Sequence, residues 1–180
     1  MSKLGTMLPL ETVKRSAGRV LRLVMKSRKF REVYLGRIFV LEPDKPLTIQ
    51  PDEISEISCN ITRLEVCNDR FSRLCHTRLC KDQRGRDIFI QYYINAAPGR
   101  YCLSVRTAAV SDTTSLELTV DGVSQGLLVV TPTGDMHCFQ TTGTWDFALT
   151  AGEHTFRLYI RDAADTNSCN IGALIFDARA

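Results

Sequence analysis

The residues equipped for chemistry are few and unevenly placed. Four of the seven cysteines, Cys59, Cys67, Cys75 and Cys80, fall between positions 59 and 80, with His76 among them. Sulfur and imidazole are zinc's preferred donors. However, seven residues separate Cys67 from Cys75 and four separate Cys75 from Cys80, a spacing unlike a zinc knuckle. An odd number of cysteines cannot all pair within one chain, so two or three disulfides plus a spare thiol are expected, with buried reduced cysteines as the rival reading. Asn60-Ile61-Thr62 is a glycosylation sequon, meaningful only in a secretory lumen. No G-x-S-x-G, H-E-x-x-H or Gly-rich phosphate loop occurs. The three histidines are scattered, and His154, on an alternating stretch, reads as a packed, hydrogen-bonded structural residue. Asp135, Asp146, Asp162 and Asp165 lie in loop-like stretches, where acids are ordinarily solvated, with no sign of the opposed pair that a glycosidase needs. No enzyme is expected.

The elements that must position these residues are strands. Ile88, Ile90, Tyr92 and Ile94 alternate with Phe89, Gln91, Tyr93 and Asn95 before Pro98-Gly99 breaks the run. Tyr101, Leu103 and Val105 then share a face, as do Leu116, Leu118 and Val120, and Asp121-Gly122 is a strong hairpin dipeptide. Further strands are expected over 123–130, 139–149, 154–160 and 169–176, joined by Gly, Pro, Asp and Asn turns. Short strands at this interval predict an all-β fold, an antiparallel β-sandwich. Its inner face takes Ile90, Tyr92, Tyr101, Leu103, Val105, Leu116, Leu118, Val120, Phe156 and Leu158. Residues 60–86 lack long alternation and read as a long loop or two short strands with loops.

Three segments, the first running from YYIN through APGRYCLSVR to LELTVDG, the second TGDMHCFQTTGTWDFALTAGEHTFRLYI and the third NSCNIGALIFD, resemble the family-6 carbohydrate-binding modules, galactose-binding-like jelly rolls. The resemblance implies a non-catalytic module that binds a polysaccharide or oligosaccharide at the loop edge of the sandwich, between two aromatics and an asparagine. Asn170 matches the asparagine and Phe139 one aromatic, while Met136 stands where the other ring belongs. Phe71 is the aromatic expected from the preceding loop, and His137 lies beside Met136. Such a site suits a pyranose, whose apolar faces stack on rings and whose hydroxyls need a few oriented polar partners. Trp145 reads as core. The resemblance also implies a structural calcium ion near Gln50, Asp52 and Asp177. Three side chains would need carbonyls and water to complete its six to eight oxygens, and three solvated residues at strand ends are the competing reading. A disulfide between Cys138 and Cys169 is expected to hold the site's loops. An extracellular or cell-surface location is implied by the family and the cysteine content. The alternative function is a β-sandwich for protein interaction or assembly that has lost its glycan site, which Met136 favours.

The 180 residues suffice for one full core. Eleven basic and four acidic residues lie between Met1 and Lys45, leaving an acidic body behind a basic head. From Leu10 to Lys29 the apolar positions recur at three and four, predicting a peripheral basic amphipathic helix. A solvated face, a transit segment, a membrane-surface contact or a nucleic-acid contact would each suit its charge, although no nucleic-acid partner is expected of the chain. Arg22 and Arg37 interrupt the apolar runs that a signal peptide or a membrane span would need. Pro43 to Pro46 then divides an extension, 1–45, from the sandwich, 46–180.

Overall fold

The alternation along the chain resolves into the facing sides of two six-stranded sheets. The computed structural model describes residues 38–57, 63–77, 88–111, 114–162 and 168–179. In chain order the strands are β1 (Ile38–Leu41), β2 (Leu47–Ile49), β3 (Glu56–Ile57), β4 (Arg63–Val66), β5 (Leu74–Thr77), β6 (Ile88–Ala96) and β7 (Gly99–Ala108). β8 (Ser115–Val120), β9 (Val123–Val129), β10 (Gln140–Leu149), β11 (Gly152–Arg161) and β12 (Asn170–Arg179) follow. One sheet runs β1-β6-β11-β8-β9, with β3 also on β6, and the other runs β10-β7-β12-β5-β4, with β2 also on β12. A 3-10 turn, Pro51–Glu53, follows β2. No helix among the described residues is long and apolar enough to cross a membrane.

All ten expected inner-face residues are buried, from Ile90 at 0 % to Val120 at 7 % exposed. Phe156 sits between the sheets, edge-on to both Phe147 and Phe176 with ring centroids 5.5 Å away in each case. Trp145 is core as well, and its indole N–H reaches the Gly126 carbonyl at 2.9 Å. The β8–β9 turn places Asp121 at φ 52 and Gly122 at φ 83, the paired left-handed conformation that lets a two-residue turn follow the twist of its strands.

The pairing is antiparallel except at β1, which runs parallel to the end of β6, with Leu41 beside Ala96. The chain between them lays down β2 to β5 across both sheets, so β6 returns in the direction of β1. Leu41 is fully buried and Phe39 nearly so. β1 is therefore part of the sandwich, within a unit spanning Gly36–Ala180, and the expected division at 45/46 falls inside that unit. The helix expected over Leu10–Lys29, the Asn60 sequon, Cys59 and Cys80 lie outside the described residues.

Candidate functional site

Strand periodicity sends Tyr101, Leu103 and Val105 of β7 into the core and Arg106 and Ala108 to the opposite side. That opposite side is covered. Arg106 is only 7 % exposed because the β4–β5 connection and the segment before β10 close over it. Its guanidinium holds Asp69 in a fork, Nη2 to Oδ1 at 2.6 Å and Nε to Oδ2 at 3.2 Å. Nη2 also donates to the Phe139 carbonyl at 2.6 Å and Nη1 to the Thr141 hydroxyl at 3.2 Å. One side chain thus fastens two separate loops to β7. Phe139 is buried with Cys67, Cys75 and Ala108 in a small second apolar cluster. Its ring lies against Gly172, where a Cβ would stand 3.3 Å from Phe139 Cδ1 and press the ring back by a few tenths of an ångström.

Asn170 starts β12 opposite Ala108 and is 1 % exposed. Its Nδ2 donates to the Met136 carbonyl at 2.6 Å, so it acts on the loop from behind. Met136 is half-buried and His137 exposed, with the His137 amide bound to Asp135 Oδ1 at 2.7 Å. Phe71 is half-buried on the connection between β4 and β5, its carbonyl accepting from Gln50 Nε2 at 3.1 Å. Gln50 in turn caps the 3-10 turn, its backbone N–H donating to Glu53 Oε2 at 2.9 Å.

An open cleft of about 490 Å³ lies here, lined by Gln50, Asp52, Asp69, Arg70, Phe71, Ser72, Arg73 and Leu74. The Arg70 guanidinium carbon stands 4.6 Å from the Phe71 ring centroid, and that of Arg106 stands 5.2 Å from it. Arg106 therefore links the two expected aromatics, touching Phe71 by its charge and Phe139 by a hydrogen bond. A second cleft, about 430 Å³, borders Thr119, Asp121, Thr155, Arg157 and Tyr159 on the outer side of the other sheet. Polar groups there are engaged with one another, Arg157 with Gln91 and Tyr159 and nearby Arg161 with Glu117.

Gln50 and Asp52 line the first cleft, but Asp177 is elsewhere. The ladder sets Ile49 opposite Leu174 and Leu47 opposite Phe176, so Gln50 and Asp177 leave it at opposite ends, roughly 13 Å apart along the strand at ~3.3 Å per residue. These three residues do not form one donor set for calcium. Among the described residues no cluster of three or more His, Cys, Asp or Glu side chains is arranged to hold a metal ion. Cys75 and His76 are neighbours on β5 and so take opposite faces, which separates the zinc donors.

The expected Cys138–Cys169 disulfide is absent, because Cys138 sits in an exposed turn whereas Cys169 is in the core. Cys67, Cys75 and Cys102 are free thiols too. Burial pushes the Cys169 thiol up to about 12, and burial together with nearby Cys67 and Glu65 does the same to Cys75. His76 is buried with neither ring nitrogen hydrogen-bonded, and burial lowers it to about 4 against the smaller opposing pull of the Pro51 backbone and Asp52. His154 bridges two turns, Nδ1 at 2.6 Å from Asp121 Oδ2 and Nε2 at 3.0 Å from the Thr150 carbonyl. Burial acts against the charged ring, yet the two acceptors outweigh it and raise the His154 pKa.

Arg106, Asp69, Arg70 and Arg73 escape a reading from sequence. The only signal is the order Asp69-Arg70-Phe71, two opposite charges and a ring at what became a loop tip.

No family model matches the chain, and no curated protein matches its sequence. Solved structures do match. The C-terminal CBM6 of LamC, a marine laminarinase from Zobellia galactanivorans, superposes with a TM-score of 0.61 at 20% identity, over 74% of this chain and 99% of that one. CBM6cm-2 from Cellvibrio mixtus lichenase 5A, solved with cellotriose, gives 0.60 at 20% identity over 74% and 98%. A family 35 module from Clostridium thermocellum gives 0.61 at 18% identity over 75% and 99%. Each neighbour is thus matched nearly end to end by about three quarters of this chain. The chain has the β-sandwich fold of the family-6 and family-35 carbohydrate-binding modules, the galactose-binding-like jelly roll.

Proposed function

We propose that this protein is a non-catalytic carbohydrate-binding module that takes a glycan at the loop edge of the sandwich, in the cleft beside Phe71. The observation that carries this reading is the cleft itself. A half-buried ring, an amide and a carboxylate, from Phe71, Gln50 and Asp52, converge there on loops fastened by the buried Arg106–Asp69 pair. Gln50 uses its Nε2 on the Phe71 carbonyl, which fixes the amide at the wall of the cleft. Asn170, Phe139 and Met136 support the loops, and His137 stands exposed at the neighbouring rim. An open site of this kind gives weak binding, because few contacts remain after the cost of association. Affinity electrophoresis through gels containing polysaccharides tests the reading. Phe71→Ala should abolish retardation with no change in the thermal midpoint, and retardation that survives it places the site elsewhere.

A second reading, a protein-contact or assembly module, is favoured by one feature. Edge strand β9 exposes Val123, Leu127 and Val129, each at least 60% accessible. Concentration-dependent sedimentation that Leu127→Lys abolishes would support it.

A further inference from the structure

Resting on the glycan reading, we infer that the ligand of the Phe71 cleft is acidic, a saccharide bearing carboxylate or sulfate groups that Arg70 and Arg73 recognise. A neutral pyranose needs an open aromatic face, but the Phe71 ring already carries two guanidinium groups within cation–π range, Arg70 at 4.6 Å and Arg106 at 5.2 Å. Arg106 is buried and bonded to Asp69, Phe139 and Thr141. Arg70 is exposed and has no carboxylate partner among the described residues. A guanidinium stacked on a ring uses its face and keeps the N–H fork along its edge for an oxyanion, to which that fork is matched bidentately. The ring thus serves as a platform for Arg70.

The charge balance of the cleft points the same way. Asp69, the acid next to Arg70 in sequence, is turned inward with its side chain 3 % exposed and both oxygens held by Arg106. Arg73, exposed on the same rim, also has no ion pair among the described residues. Two unpaired guanidinium groups therefore face one exposed carboxylate, Asp52. Neighbouring cations of this kind suit a ligand whose anionic groups repeat along a chain, with Asp52 accepting from its hydroxyls.

The test is affinity electrophoresis and calorimetry of the full chain with four probes: a neutral xylan, polygalacturonate, a sulfated galactan, and polyglutamate as a polyanion without sugar rings. The expected result is binding to polygalacturonate or the sulfated galactan, whichever bears the matching anion, and weakening as salt is raised. Arg70→Gln and Arg73→Gln should each lower that affinity by about tenfold or more, the loss of a charge-assisted pair. Arg70→Lys should not restore it, since an ammonium has neither the fork nor the stacking plane. Equal binding of polyglutamate would overturn the inference by showing a site for anions of any kind. Xylan binding that Phe71→Ala abolishes and the arginine variants leave intact would overturn the acidic ligand while keeping the module reading. Failure of every polysaccharide to bind would overturn both.

Discussion

Arg106 and Asp69 form a buried ion pair beneath the cleft, with side chains 8 % and 3 % exposed, and its removal is the sharpest test of how the site is built. Arg106→Met keeps the stem and removes the charge. Asp69 would then be a buried carboxylate without its fork, a defect of about 3–5 kcal/mol. The Phe139 carbonyl would lose its donor as well. Asp69→Leu leaves the opposite charge stranded, with a similar cost. The double variant Arg106→Met/Asp69→Leu strands neither charge, and apolar groups of matching volume replace a buried pair at little net cost. The exposed Thr141 hydroxyl can turn to water and the Phe139 carbonyl stays unpaired, so the double variant should lose about 1–3 kcal/mol, far less than the two single losses together. Equilibrium unfolding in urea measures this. At a slope of about 2 kcal/mol/M each single variant should unfold roughly 1.5–2.5 M earlier, and the double variant within ~1.5 M of the parent. Single losses that add in the double variant, or a loss of less than about 1 kcal/mol in Arg106→Met, would refute the claim that one buried pair fastens both loops.

Leu41→Ala should cost about 2–5 kcal/mol, as for other buried leucines, because β1 belongs to the core, and a change below half a unit in urea unfolding would remove it from there. The two described, shifted histidines should act in opposite senses. His76 is held down at about 4, so the unfolded chain takes up its proton first as pH falls below 6.5, and stability should decline by about 3 kcal/mol between 6.5 and 4. His154 is raised by its partners, so its contribution is complete below pH 6.5 and fades as pH rises through the folded value. Ring resonances that both titrate at the ordinary value would contradict this. Among the five described cysteines, Cys138 alone is exposed and should be alkylated first at neutral pH, whereas rapid labelling of Cys75 or Cys169 on a peptide map would mean that their burial is misjudged.

Strand positions and the inner face are legible in the sequence because they depend on local rules. Side chains alternate every second residue, and Asp121-Gly122 turns a hairpin by its own backbone preferences, so Ile90, Leu103, Phe156 and their neighbours declare a buried side without reference to distant chain. The same rule misleads on the other side of β7. Arg106 occupies a polar position and reads as solvated, and only the arrival of Asp69 and Phe139, each more than thirty residues away, buries it. Asn170 likewise reads as an open amide and is bonded to the Met136 carbonyl, and Cys138 and Cys169 each stand just before a strand but meet solvent and core. Gln50 and Asp177 share a chemistry and part company through the register of β2 on β12. Composition fixes which groups are available and alternation fixes one face of each strand. Which loops fold over the other face is a long-range packing outcome, and it decided that Arg106 and Asn170 are buried while Arg70, Phe71 and Arg73 line an open cleft.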